Sequence, residues 1–245
     1  VTDDEVTGSD RLRGGAGDGA ALPGPLALVG GGEWQDGVEV DATLLAGAGG
    51  EVVVLPTAAA YEQPARAVAT AQRWFAALGA SVRPCMVLTR ADAGDPDLAA
   101  TVRAARFVYL SGGSPLHLRS VLKDSAVLHA LRHAWHHGAV VAGSSAGAMA
   151  LTDPMVDPRG GALTVGLGLV RDVAVVPHYT GEVDAQLRRT LALAPASCAV
   201  VAVPAQCAIV REPDGIWRSD GPHAVSVFVG GDLVGLEALA GRPIE

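Results

Sequence analysis

The sequence predicts an α/β domain in which a mostly parallel sheet carries helices on both faces, with antiparallel strands at its edge near the C-terminus. Three observations point there. From Pro25 onward, short apolar runs alternate with longer amphipathic ones. The short runs are Val-rich and apolar on both sides, as parallel strands buried on two faces must be. From about Asp172 the runs crowd together (VAVVPHY, CAVVAVP, QCAIVRE, AVSVFVGG) with one helix near Glu182 to Ala194. The turn sequence Trp217-Arg-Ser-Asp-Gly-Pro among them marks a hairpin or antiparallel edge.

Each element follows from local pattern. LALVGGG (Leu26 to Gly32) is a strand entering a Gly loop, and EVVVLPTAA (Glu51 to Ala59) is a second buried strand. Between Glu62 and Leu78 apolar residues recur at helical spacing, and Gly79 follows as a C-cap. SVRPCMVL reads as a strand, Asp95 to Arg106 as a helix, and FVYLSGG as a strand ending in two glycines. Pro115 to His137 is helical with a break near Asp124, and AVVAGSSAGAMAL (Ala139 to Leu151) reads strand, tight turn, helix. Residues 1–24, rich in Gly, Asp and Ala without periodicity, read as a flexible tail; residues 25–245 read as one α/β domain.

Composition narrows the function. With 49% apolar residues in 245, the chain can bury a full core. A net charge of −8, a single lysine (Lys123) and scattered arginines argue against nucleic acid as a partner. No apolar run reaches the roughly 20 residues of a membrane span, and the acidic start VTDDEVTGSD is the reverse of a signal peptide. The expectation is therefore a cytoplasmic protein with no membrane partner. Cys85, Cys198 and Cys207 lack paired spacing and sit in or beside apolar runs, which predicts buried free thiols.

The chemistry concentrates at Gly143-Ser144-Ser145-Ala146-Gly147, a G-x-S-x-G between a strand and a helix. Small residues two positions either side let the backbone turn sharply, so Ser145 Oγ stands exposed at a strand's carboxyl end beside free backbone N–H groups, Ala146 among them. Ser144, the rival hydroxyl, stands at the variable position. A nucleophilic serine needs a base, and His178 alone of seven histidines directly follows a core strand. Gly112 and Gly113 end another strand, with Ser114 next, and are candidates for oxyanion or substrate binding. For a third, orienting acid, Asp153, Asp157 and Asp172 all stand open, with Asp157 slightly favoured.

In this order, LALVGGGE, YLSGGS, AGSSAGAMAL, PMVDPRGG, GLGL and VVPHY resemble the cyanophycinase and dipeptidase E group of serine peptidases over about Leu26 to Phe228. The resemblance implies a class I glutamine amidotransferase-like fold, a flavodoxin-like three-layer sandwich. It implies Ser145 as nucleophile, His178 as base, the Gly112 and Gly113 amides as oxyanion donors, no cofactor or metal, and a monomer or homodimer. It also implies short peptides cut at aspartyl or β-aspartyl bonds, or cyanophycin, as substrate. The chain departs from these relatives at Ser114-Pro115, where polar pairs are common, and at Pro204-Ala205-Gln206, which lacks the acid that many carry before an apolar strand.

His129, His133, His136 and His137 have i,i+4 spacings that could hold a metal, but without a completing Cys or carboxylate they read as a solvated helix face near a C-terminus. Gly30-Gly31-Gly32-Glu33 lacks a nucleotide-binding pattern and reads as a tight turn close to the active site. Two rival functions remain. An esterase of the α/β-hydrolase type would place its histidine far later than 33 positions after the serine. A catalytically quiet binding domain would keep the turn but not react with a fluorophosphonate.

Overall fold

The computed structural model describes residues 22–245. Most of the predicted tail therefore lies outside the described residues; at its inner end, Gly24 donates to Trp135 O and accepts from Trp135 Nε1.

The elements run β1 (Leu26–Val29), α1 (Val40–Leu45), β2 (Glu51–Leu55), α2 (Pro64–Ala77), β3 (Ser81–Pro84), α3 (Pro96–Ala104) and β4 (Phe107–Leu110). They continue with α4 (Pro115–Leu122), α5 (Ala126–His136), β5 (Val140–Ser144) and α6 (Ala146–Leu151). The break expected near Asp124 separates α4 from α5, and Ser114 and Ser125 cap the two helices. Four two-residue strands follow, β6 (Thr152–Asp153), β7 (Met155–Val156), β8 (Leu163–Thr164) and β9 (Val170–Arg171), paired as β6 with β9 and β7 with β8. The chain ends through β10 (Val173–Val176), α7 (Ala185–Leu193), β11 (Ala199–Ala202), β12 (Ala208–Arg211), β13 (Trp217–Asp220), β14 (Ser226–Val229) and β15 (Asp232–Val234).

Seven strands form the main sheet in the order β13-β12-β1-β5-β4-β2-β3. The five from β1 to β3 are parallel; β12 and β13 add the antiparallel edge. The period-two geometry of a strand shows directly in burial: Leu26 and Leu28 face one core, Ala27 and Val29 the other, and all four are fully buried. Residues of α1 and α2 fill one face, where Phe75 packs edge-on against Phe107 and Tyr109. Helices α3 to α6 fill the opposite face.

One part differs from the expectation. VAVVPHY, CAVVAVP and AVSVFVGG do not extend the main sheet; they form a second, four-stranded sheet in the order β10-β11-β14-β15, and its apolar side completes the core on the α6 face. Uniformly apolar strands such as Ala199–Ala202 carry no record of which sheet they join, because every side of them must be buried either way. All three cysteines are free and buried, and burial pushes the Cys85 and Cys198 thiols up to about 11. Among the described residues no helix is long and apolar enough to cross a membrane.

Beneath α2 lies a buried acid. Asp41 accepts from Trp74 Nε1 at 2.9 Å, while its Oδ1, Trp34 Nε1 and the Tyr109 hydroxyl are buried with no partner among the described residues. Burial pushes the Asp41 carboxyl up to about 7; the Trp74 bond opposes this, and the charges of Glu33 and Asp220 add to it. The folded state thus keeps a proton that the unfolded chain releases from about pH 4 upward. This contribution to stability is full below about pH 4 and is lost as the pH rises through 7. Asp41→Asn keeps an acceptor for Trp74 and carries no charge. The gap in unfolding free energy between variant and native protein, measured in urea, should grow in the variant's favour by roughly 2–4 kcal/mol from pH 4 to pH 7.5.

Candidate active site

The parallel strands β1, β5 and β4 end side by side, and Gly31, Ser145 and Gly112 follow their carboxyl ends, where open α/β sheets form their crevices. β5 runs out at Ser144, and Ser145 turns the chain into α6 with φ 48° and ψ −105°. That strained conformation is tolerated because its surroundings fix it. Ser145 N donates to Val29 O at 2.9 Å, and Ser145 O accepts from Met149 N at 2.9 Å. Glycine is required on both sides. A Cβ on Gly143 would fall 2.6 Å from Gly147 C, and one on Gly147 would fall 2.5 Å from Leu110 O.

His178 lies two residues beyond β10, also at positive φ (56°). Its N–H donates to Gly30 O at 2.8 Å, and the next residue, Tyr179, donates to Val203 O at 3.1 Å. The second sheet is thereby pinned to the loop after β1, and the imidazole is aimed across it. His178 Nε2 stands 2.8 Å from Ser145 Oγ. The ring lies directly on Gly31, where a Cβ would come within 2.1 Å of His178 Cε1 and 2.6 Å of Nδ1. The glycine run after β1 is therefore what makes room for the imidazole.

The two favoured acids are held elsewhere. Asp157 binds Arg159 through both carboxylate oxygens, at 2.6 Å to Nη2 and 3.0 Å to Nε, and accepts from Arg159 N. These hydrogen bonds hold its carboxyl well below the usual range, to about 2. Asp153 Oδ1 accepts from Gly166 N at 2.9 Å. Asp157 thus serves its own turn, as short Asp side chains beside proline often do, while Asp153 ties its segment to the loop at Gly166. Asp172, the weaker third, is at positive φ (57°) in the turn between β9 and β10. Among the described residues, the His178 side chain hydrogen-bonds only Ser145.

The expectation for Gly112 also changes. Its N–H donates to Glu33 Oε1 at 2.8 Å, and Glu33 Oε2 accepts from Ser144 Oγ at 2.7 Å. Glu33 thus ties the loops after β1 and β4 to the end of β5, and it removes Gly112 as a free donor. Ser144 is fully buried in this bond, which leaves Ser145 as the hydroxyl that faces the crevice. Gly113 N and Ala146 N donate to no protein group among the described residues, and both flank Ser145. Ser114 accepts from His117 N at 3.3 Å, so its hydroxyl caps α4 rather than facing the crevice.

Sequence reasoning missed Glu33 as a structural tie, although an acid placed directly after a strand-ending glycine run was the available signal. The histidine cluster lies apart from this crevice on α5. His133 and His137 stack with ring centroids 3.8 Å apart, and His136 Nε2 lies against Glu245 O at 2.6 Å.

Comparison with known proteins gives the chain's family. The profile of peptidase family S51 matches residues 26–217. The crystal structure of a peptidase from an acI-B1 Actinobacterium superposes with a TM-score of 0.79 at 26% identity, covering 88% of this chain and 94% of that one. The uncharacterized peptidase YgaJ of Bacillus subtilis (strain 168) is 38% identical over 90 residues, 36% of this chain and 39% of that protein. The cyanophycinase of Synechococcus elongatus is 32% identical over 104 residues, 38% of this chain and 32% of that protein. The matched segments thus span only about a third to two fifths of these curated relatives. The family profile covers most of the chain, including the Ser145 turn and the His178 loop, and the chain belongs to peptidase family S51.

Proposed function

We propose that the protein is a serine peptidase of short peptides in which Ser145 attacks and His178 moves the proton. The observation that carries this reading is the 2.8 Å approach of Ser145 Oγ to His178 Nε2 at the end of a parallel sheet. In the acylation step, Oγ bonds the scissile carbonyl carbon while its proton passes to Nε2. Collapse of the tetrahedral species breaks the C–N bond, and the same proton leaves with the amine. Water then repeats the sequence on the acyl-enzyme. Gly113 N–H and Ala146 N–H are the donors that would receive the oxyanion, a role in which one donor is worth about 10²- to 10³-fold in rate.

His178 acts in this reading without an aspartate behind it. Its orientation comes from its pinned backbone and from the seat on Gly31. Asp157→Asn and Asp153→Asn should therefore each keep kcat/KM within about threefold of the native value, where removing an orienting triad acid costs about 10⁴-fold. Steady-state peptide hydrolysis by the two variants checks this. A steep loss in either one would restore the triad.

Aspartyl or β-aspartyl cleavage, as in cyanophycin, is the substrate class that the family resemblance suggests. Such a substrate brings a carboxylate that needs a cation or several donors once out of water. The walls of the crevice bear on that directly.

A further inference from the structure

Two cavities meet at the Ser145–His178 pair, and their chemistry differs. One, of about 320 Å³, opens beside Ser145 Oγ and runs down along α6. Its walls are Met149, Val156 and Leu187, all buried, with Pro115, Val176 and Pro177. The other, of about 460 Å³, is bounded by Glu33, Glu62, Arg66 and Thr70. A third opening of about 540 Å³ lies past the imidazole, against Tyr179, Gln206 and His223, and does not reach Ser145.

We propose that the cavity along α6 receives a large apolar side chain on the acyl side of the scissile bond, so that this chain prefers residues such as Leu or Met there over Asp. The inference rests on the peptidase reading given above. The histidine that protonates the departing amine directs that half of the peptide toward the opening past its ring. Of the two cavities that touch Ser145, the one along α6 is the more enclosed and the more apolar, and it is the one that can bury the side chain of the acyl half.

The walls select by what they lack. Apart from His178, the charged residue lining the cavity is Asp184, exposed with the uncharged Gln186, and its Oδ1 caps α7 by accepting from Leu187 N at 2.7 Å. The guanidinium of Arg159, close in sequence, is turned onto Asp157 and is not part of the wall. A carboxylate entering here would give up water for apolar walls and meet the like charge of Asp184. The cation available near the pair, Arg66, stands in the other cavity beside Glu33 and Glu62. A Leu or Met side chain instead exchanges water for Met149, Val156 and Leu187, and gains with each methylene buried.

The test uses diphenyl phosphonates whose α-substituent mimics Leu, Ala or Asp; Ser145 Oγ displaces one phenoxide and forms the O–P bond, which intact-mass measurement follows in time. The Leu-like reagent should label the native protein about 10- to 100-fold faster than the Ala-like one, the range that a few methylenes command in an apolar site. It should exceed the Asp-like one by at least as much. In Val156→Phe, which fills the cavity, the Leu-to-Ala rate ratio should fall to about one when each rate is divided by that variant's own rate with a small alkyl fluorophosphonate. Equal rates across the series, or fastest labelling by the Asp-like reagent, would overturn the proposal and leave the Ser145–His178 reading standing. Failure of the small fluorophosphonate on native protein would take both down.

Discussion

Ser145→Ala should lower peptidase kcat by about 10⁴- to 10⁶-fold, the scale on which removal of a serine nucleophile registers in comparable sites. Only Oγ is removed. The backbone at Ser145 is held by Val29 O and Met149 N, and the serine side chain's hydrogen bond is the one to His178. Thermal stability should therefore stay within about 1 kcal/mol of native. Ser144→Ala offers the contrast. It takes a buried partner from Glu33, so its cost should appear chiefly in stability, roughly 1–3 kcal/mol, and turnover should persist. Kinetics and urea unfolding on both variants separate the two serines. A dead Ser144 variant beside a live Ser145 variant would mean that the hydroxyl facing the crevice is not the one that reacts.

The second large effect belongs to the base. His178→Ala should cost about 10² to 10⁴ in kcat/KM, the usual worth of a positioned general base. The ring is exposed at the crevice, and the backbone bonds that pin it, His178 N to Gly30 O and Tyr179 N to Val203 O, do not involve the imidazole. The variant should thus remain folded and bind substrate with KM changed by no more than a few fold. A variant that loses affinity but not kcat would instead make His178 a binding residue.

How much of this was legible beforehand depended on whether a feature is local. The Ser145 turn is written into five consecutive residues, because Gly143 and Gly147 are the only residue type that fits against each other and against Leu110. His178 was legible from its place after an apolar strand. Glu33 and Gly31 were not given their roles, since their partners lie 79 and 147 positions away, at Gly112 and His178. The acids followed a different logic. Asp157 was only slightly favoured in sequence over Asp153, and Arg159 two residues on holds its carboxylate within its own turn. The second sheet escaped notice because strands apolar on all sides look alike wherever they pair. The apolar cavity was invisible for another reason. It is assembled from Met149, Val156, Val176 and Leu187, residues that each read as plain core in sequence.

The central claim is that Ser145 reacts covalently because His178 takes its proton. Its most direct test is to treat native protein and His178→Ala with an alkyl fluorophosphonate, digest both, and locate the adduct by tandem mass spectrometry. The account predicts one adduct, on Ser145, formed at least about 100-fold faster in the native protein than in the variant. An adduct on another residue, or labelling of Ser145 at equal rates with and without the imidazole, would contradict it.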